Sequence, residues 1–242
     1  MTAPLLIIIG YVFGSLPSGL WIVRYLHHLD IREYGSKNIG ATNVFRTVGA
    51  KTAALVLVCD MLKGILPLAL ADHLTASPEL VAFTALAALL GHNYSLFLGF
   101  KGGKGVATGL GLFLYLLPLG ALVGFGIWLV VVLITRYVSL GSILGALGAA
   151  VTGFILPYPL PYALFGLLAC GFVILRHKAN IGRLLNGTES KIKPGGAAAA
   201  VPKGQKEAPA LKNEVKPEDD KKTASFQTNH TPAAKTEENN FK

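Results

Sequence analysis

Long charge-free apolar runs alternate with short polar clusters along this chain. Residues 1–23 carry no charge until Arg24. A second apolar run covers about 50–71, interrupted by Asp60 and Lys63, and a third covers about 80–98. Residues 105–135 are uncharged for 31 positions, and residues 137–175 for 39. A helix needs about 20 apolar residues to cross the hydrocarbon of a bilayer. One straight helix over 105–135 would reach roughly 47 Å, against a core of about 30 Å. Pro118 and Gly120 predict a turn there, dividing the run into a short span over 105–117 and another over 119–135. Pro157, Pro159 and Pro161 divide the last run into 139–156 and 161–175. Pro17 and Gly19 are expected to loosen the second half of the first span.

The pattern therefore predicts an all-α, polytopic membrane protein with seven transmembrane helices. Connections at 24–51, 99–105 and 135–138, and the segment after 175, hold the Lys and Arg residues. The opposite connections at 72–79, 117–119 and 156–161 hold none. The positive-inside rule then puts the N-terminus outside and the C-terminus in the cytoplasm. Met1–Pro4 has no positive stretch and no cleavage pattern follows, so a signal peptide is not expected.

Composition sharpens this picture. Charged residues make up 14% of the 242 and hydrophobic ones 52%, whereas soluble domains carry about 25% charge. The net charge of +9 would suit nucleic acid, but the body has no basic helical stripe and no aromatic platform, so no nucleic-acid partner is expected. Two cysteines, Cys59 and Cys170, both in apolar runs, argue against a disulfide framework. Residues 1–193 read as one membrane domain. Residues 194–242, rich in Lys, Pro and Ala, read as a disordered cytoplasmic tail.

Three polar clusters fall on the positive side. The first is Gly35-Ser36-Lys37-Asn38-Ile39-Gly40-Ala41-Thr42-Asn43 with Arg46. Hydroxyls, carboxamides and a planar guanidinium suit a multi-oxygen anion. The second runs from Gly91-His92-Asn93-Tyr94 to Phe100-Lys101-Gly102-Gly103-Lys104-Gly105-Val106-Ala107-Thr108. Its glycines free backbone amides at the start of a span, beside Lys104, and a helix N-terminus attracts anions. It is not a P-loop, which needs another spacing and a preceding strand. The third is Arg176-His177-x-x-Asn180-x-x-Arg183-Leu184-x-x-Gly187-x-Glu189. On one helix, Arg176, Asn180 and Arg183 would share a face. Ser142, shortly after Arg136, is expected to face the same basin as these clusters. Each cluster also has a plainer reading as a solvated basic loop or helix end. Asp60 and Lys63, three apart, could brace the loops, enter the site or move a proton in a transporter. Together the clusters describe a cationic basin suited to a phosphorylated substrate with a lipid end. An enzyme, a membrane transporter of a phosphorylated organic anion and a structural membrane protein all remain open on the residues alone.

At these three motifs the chain resembles the bacterial membrane acyl-phosphate:glycerol-3-phosphate acyltransferase family. The resemblance starts at Gly14-Ser15-x-Pro17-x-Gly19, takes in the three clusters and covers about 1–193. It implies a seven-span fold in the bacterial cytoplasmic (inner) membrane, with the active site at the cytoplasmic face. It implies transfer of an acyl group from acyl phosphate to the C1 hydroxyl of sn-glycerol 3-phosphate, giving lysophosphatidic acid and phosphate, the first step of phospholipid synthesis. No metal, acyl-CoA or other cofactor is expected. The partners implied are the two substrates, membrane lipids and a soluble phosphate acyltransferase that supplies the donor; the enzyme is expected to be a monomer. The resemblance implies Ser36, Arg46, Lys104, Ser142, His177 and Asn180 as the catalytic set, and Asn38, Thr42, Asn43, His92, Lys101, Gly102, Gly103, Gly105 and Arg176 as the substrate-binding set. The family's first motif usually reads Gly-Ser-Gly-Asn, and Lys37 replaces the second glycine. A positive φ there would strain Lys37; a place beside the phosphate would make it an extra attraction.

Overall fold

The computed structural model describes residues 2–193, so the tail expected over 194–242 lies outside the described residues. Among the described residues every regular element is a helix. The helices are α1 Thr2–Ser15, α2 Ser18–His27, α3 Ala41–Val48, α4 Ala50–Leu74, α5 Pro78–Asn93, α6 Val106–Leu116, α7 Pro118–Thr135, α8 Val138–Ile155, α9 Leu160–Arg176 and α10 Lys178–Leu185. Five segments are long and apolar enough to cross a membrane, with α1 and α2 together forming the first. A sixth appears if the bent pair α9–α10 counts as one. At 11 residues, α6 spans about 16 Å and is too short to cross alone.

The break in the 105–135 run falls at Leu117–Pro118, as the proline predicts. Pro17 breaks the first run into two helices, as its sequence leads one to expect, and α2 carries the span past Arg24 to His27. The third run forms a span over Pro78–Leu98, in which α5 ends at Asn93 and a 3-10 turn, Leu96–Leu98, completes it.

Breaking a helix at membrane depth frees carbonyls that water cannot satisfy, so side chains must take them. Here Lys63 Nζ donates to Leu16 O at 2.7 Å, and Ser95 Oγ donates to Ser15 O. Asp60 pairs with Lys63 at 2.7 Å and accepts from Ser18 Oγ, the first residue of α2. The buried Asp60–Lys63 pair thus braces both ends of the break.

Small residues let the helices approach closely, as membrane packing favours. A side chain at Gly14 would strike the backbone of Ala88 on α5, and one at Gly124 would meet Gly145 O on α8 at 2.6 Å. One apolar core centres on Leu89, Leu112, Phe113, Leu117 and Phe165. A second, with Val23, Ile31, Ile39, Val44 and Val56, packs α2 and α3 against α4 and holds the polar segment 35–46 in place.

Candidate active site

The three polar clusters converge on one cavity of about 730 Å³. Each cluster is fixed by its own backbone bonds before it offers any group to a ligand.

In the first cluster Asn43 is nearly fully buried. Its Oδ1 accepts from Ser36 N at 2.8 Å, and its Nδ2 reaches Asn38 O at 2.8 Å, Tyr34 O at 3.0 Å and Ile31 O at 3.2 Å. Asn43 therefore shapes the loop with a carboxamide already occupied. Asn38 Oδ1 accepts from Gly40 N at 2.9 Å. Gly35 and Lys37 both adopt the left-handed conformation, at φ +57° and +58°. Lys37 is exposed and among the residues that line the cavity, and of the two consequences raised by its sequence the structure shows the first, a strained left-handed backbone. Ser36 and Thr42 also line the cavity. Arg46 reaches across to Ser190 O at 3.0 Å through Nη2, while its buried Nε lacks a protein partner.

The second cluster lies across the C-terminal end of α5. Gly103 N donates to His92 O at 3.0 Å, and a side chain at Gly103 would collide with the His92 ring. Arg176 clamps the loop from the other side, donating 3.0 Å bonds to Gly102 O and Gly103 O. The loop delivers Lys104 and Gly105 (φ +79°) to the start of α6. Lys104 Nζ donates to Asn180 Oδ1 at 2.6 Å, and burial pulls its pKa down from 10.5 to about 8. The buried His92 ring lies 3.1 Å from Thr108 Oγ1 and 3.7 Å from Asp60 Oδ1.

The third cluster is not on one helix, and the expected common face of Arg176, Asn180 and Arg183 is corrected. The axis turns by 59° at His177. There the ring Nδ1 adds a 2.7 Å contact to Val173 O, already the acceptor of the His177 amide at 3.0 Å. A carbonyl only accepts, so Nδ1 carries a proton and Nε2 is the atom left for a ligand. The bend sends Arg176 to the glycine loop while His177, Asn180 and Arg183 line the cavity. Glu189 ties this cluster together. It accepts from Ser139 Oγ, Asn180 Nδ2 and Arg183 Nε, each at 2.7 Å. Burial raises the Glu189 pKa, but these three bonds outweigh it and hold the carboxyl below its ordinary value.

The structure thus brings Ser36, Arg46, Lys104, Ser142, His177 and Asn180 around one space, with Asn38, Thr42, Asn43, His92 and Gly105. Lys101, Gly102, Gly103 and Arg176 do not line it; Gly102, Gly103 and Arg176 form the loop and its clamp, and Lys101 is exposed. Arg183 and Glu189 of the third motif, together with Ser139 and Asp60, stand outside the catalytic and substrate-binding sets yet line the cavity, and Asp60 so takes one of the places its sequence left open. The available signal was Glu189 itself, the single carboxylate in a basic motif. Glu189 is paired with Arg183 and Asp60 with Lys63, whereas Arg46 and Lys104 bond neutral acceptors. Their charge is left for a ligand. Deeper in, the lining changes to Leu110, Phe113, Ala121, Phe125, Ala149 and Ala169. One cavity therefore has a cationic, donor-rich end and an apolar end.

Residues 4–187 match the family described as glycerol-3-phosphate acyltransferase. A glycerol-3-phosphate acyltransferase of Trichormus variabilis is 46% identical over 203 residues, covering 77% of this chain and 90% of the relative. One of Desulforamulus reducens is 44% identical over 192 residues, covering 79% and 96%. The crystal structure of PlsY, an integral membrane glycerol 3-phosphate acyltransferase, in its glycerol 3-phosphate form superposes with a TM-score of 0.75. It is 40% identical and covers 80% of this chain and 96% of that one. The lysophosphatidic acid form gives 0.74 at 39% identity, with the same coverage.

Proposed function

We propose, from the premise that the chain belongs to the glycerol-3-phosphate acyltransferase family, that it transfers an acyl group from acyl phosphate to the C1 hydroxyl of sn-glycerol 3-phosphate. The products are 1-acyl-sn-glycerol 3-phosphate and inorganic phosphate. The observation that carries this reading is the two-part cavity: a donor with a phosphate head and a hydrocarbon tail fits a cationic end joined to an apolar one. On this reading the chain crosses the bacterial cytoplasmic membrane seven times, with α6 as the short fourth crossing. The N-terminus is outside, the C-terminus and the active site are at the cytoplasmic face, and the enzyme works as a monomer. A soluble phosphate acyltransferase supplies the donor.

Arg46 and Lys104 hold the phosphates of donor and acceptor, with Ser36, the loop amides and, once turned from Val138 O, the Ser142 hydroxyl adding hydrogen bonds; His177 Nε2, the unprotonated nitrogen, accepts from a hydroxyl of the glycerol. Asn180 positions Lys104, and Glu189 positions Asn180. Asn38, Thr42 and Asn43 shape the glycerol phosphate pocket. Held in this way, the C1 oxygen attacks the acyl carbonyl carbon and the carbonyl–phosphate C–O bond breaks. The hydroxyl proton passes to the departing phosphate, which is both leaving group and base. Proximity and a pre-set positive field supply the rate. Among the described residues no cavity serine is hydrogen-bonded to a histidine, Ser139 bonding Glu189 and Ser142 bonding Val138 O, so direct transfer is more economical than an acyl-enzyme.

The test is palmitoyl phosphate with glycerol 3-phosphate and purified protein in lipid cubic phase, without added metal. Equimolar phosphate and lysophosphatidic acid are expected, and loss of both in folded Lys104→Ala and His177→Ala proteins. An acyl-enzyme trapped by acid quench would refute direct transfer. Absence of turnover, with counterflow of glycerol 3-phosphate in proteoliposomes, would favour the transporter alternative, which the comparisons do not support.

A further inference from the structure

Three glycines of the cavity wall lie within helices, and they do not serve the same purpose. Side chains at Gly124 and Gly145 would each meet the other's carbonyl oxygen at 2.6 Å, so close packing of α7 on α8 accounts for both. Gly109 on α6 has no such reason. It is buried and has no left-handed backbone, yet a Cβ there would find one atom within 4 Å, Leu89 Cδ1 at 3.9 Å. A glycine inside a helix costs stability relative to alanine. Here the space a side chain would fill is cavity.

The position of that space is set by the helices. Gly105, Ser142 and His177 mark the polar end on α6, α8 and α9. Four residues farther along each helix, about 6 Å, stand Gly109, Ala146 and Val173, all lining the cavity. Eight residues along α6, about 12 Å, Phe113 is the last residue of that helix on the wall. It is buried and packs on Phe165, with ring centroids 5.7 Å apart. A staggered chain of about 1.5 Å bonds advances roughly 1.25 Å per carbon. About ten carbons therefore separate the polar end from Phe113.

We propose that Gly109 is a specificity-determining position: its missing side chain is the passage through which the acyl chain leaves the polar end, and Phe113, one turn deeper, is where a straight chain must turn. This rests on the acyl-phosphate reading above. A side chain on a helix leans toward the helix N-terminus, so a substituent at 109 would lie across the passage just inside the polar end. It would leave the glycerol phosphate groups untouched.

The test measures kcat and KM for butanoyl, octanoyl, dodecanoyl and palmitoyl phosphate in wild type, Gly109→Ala and Gly109→Leu. The KM for glycerol 3-phosphate and the unfolding temperature are taken alongside. Gly109→Ala is expected to unfold at a higher temperature and to lose efficiency with the three longer donors. Gly109→Leu is expected to lose about a hundredfold with those donors, while butanoyl transfer and the glycerol 3-phosphate KM stay within about twofold. An unchanged chain-length profile in Gly109→Ala and Gly109→Leu overturns the proposal, and so does an equal loss on butanoyl and palmitoyl phosphate. If Gly109→Leu does not fold, Gly109→Ala decides by the same comparison. Wild-type protein inert toward every acyl phosphate would refute the acyl-phosphate reading itself, and this inference with it.

Discussion

Replacing Asp60 by Leu leaves the Lys63 ammonium with Leu16 O as its remaining partner and takes the acceptor from Ser18. Both members of the pair are under 5% exposed. Removing one partner of a buried pair costs about 3–5 kcal/mol, because the other charge stays buried. At about 2–4 °C per kcal/mol for a chain of this size, the unfolding temperature should fall by about 6–20 °C. Replacing both, as Asp60→Leu with Lys63→Met, removes the stranded charge and leaves Leu16 O and Ser18 Oγ each short of a bond worth about 1 kcal/mol. The double variant should therefore be more stable than either single one. Thermal unfolding in detergent can be followed with a thiol-reactive fluorophore, since Cys170 is buried and Cys59 half-buried. The reasoning fails if the single losses add, making the double variant the least stable of the three. It fails equally if Asp60→Leu unfolds within 2 °C, roughly 1 kcal/mol, of wild type.

Lys104 is half-protonated near pH 8 in the free protein, so glycerol 3-phosphate affinity should decline above that pH, and Lys104→Arg should remove the decline. The same shift has a stability consequence. Between pH 8 and 10.5 the unfolded chain binds the proton that folded Lys104 has released, so this group makes stability rise with pH across that window, as a titration of unfolding temperature would report. At Lys37, φ +58° penalises any side chain; Lys37→Gly should be more stable than Lys37→Ala by about 0.5–1 kcal/mol, with KM for glycerol 3-phosphate raised alike in both. Glu189→Gln should lower kcat by roughly tenfold to a hundredfold, from the loss of a charged hydrogen bond of about 1.5–3 kcal/mol that orients Asn180. Rescue by Glu189→Asp would argue for a positioning role.

Much of this was legible in the chain. Pro118 announced the α6–α7 break, and the proline-rich turn before α9 was equally plain. The basic motifs marked the cavity wall because phosphate chemistry needs donors that hydropathy alone does not require. The 59° turn at His177 was hidden. No proline or glycine marks it, and the ring's contact with Val173 O is a local competition that a periodicity does not register. Asp60 and Lys63 were visible as a pair, but not that they would brace the Leu16–Ser18 break, whose neighbours lie more than 40 residues away in sequence. Glu189 looked like one acid among bases; only folding shows that it gathers Ser139, Asn180 and Arg183.

The eleven residues of α6 bear on the lipid as well as on the ligand. The neighbouring α4, at 25 residues, measures about 37 Å along its axis, more than twice the roughly 16 Å of α6. A hydrocarbon core of about 30 Å cannot match both heights. With α6 as the fourth crossing proposed above, the bilayer would thicken or the helix tilt beside α4, and beside α6 the bilayer would thin or admit water. That mismatch would make membrane thickness a variable of the proposed site: lipids with shorter tails would relieve the deformation at α6, and longer ones aggravate it, without touching any of the cationic groups.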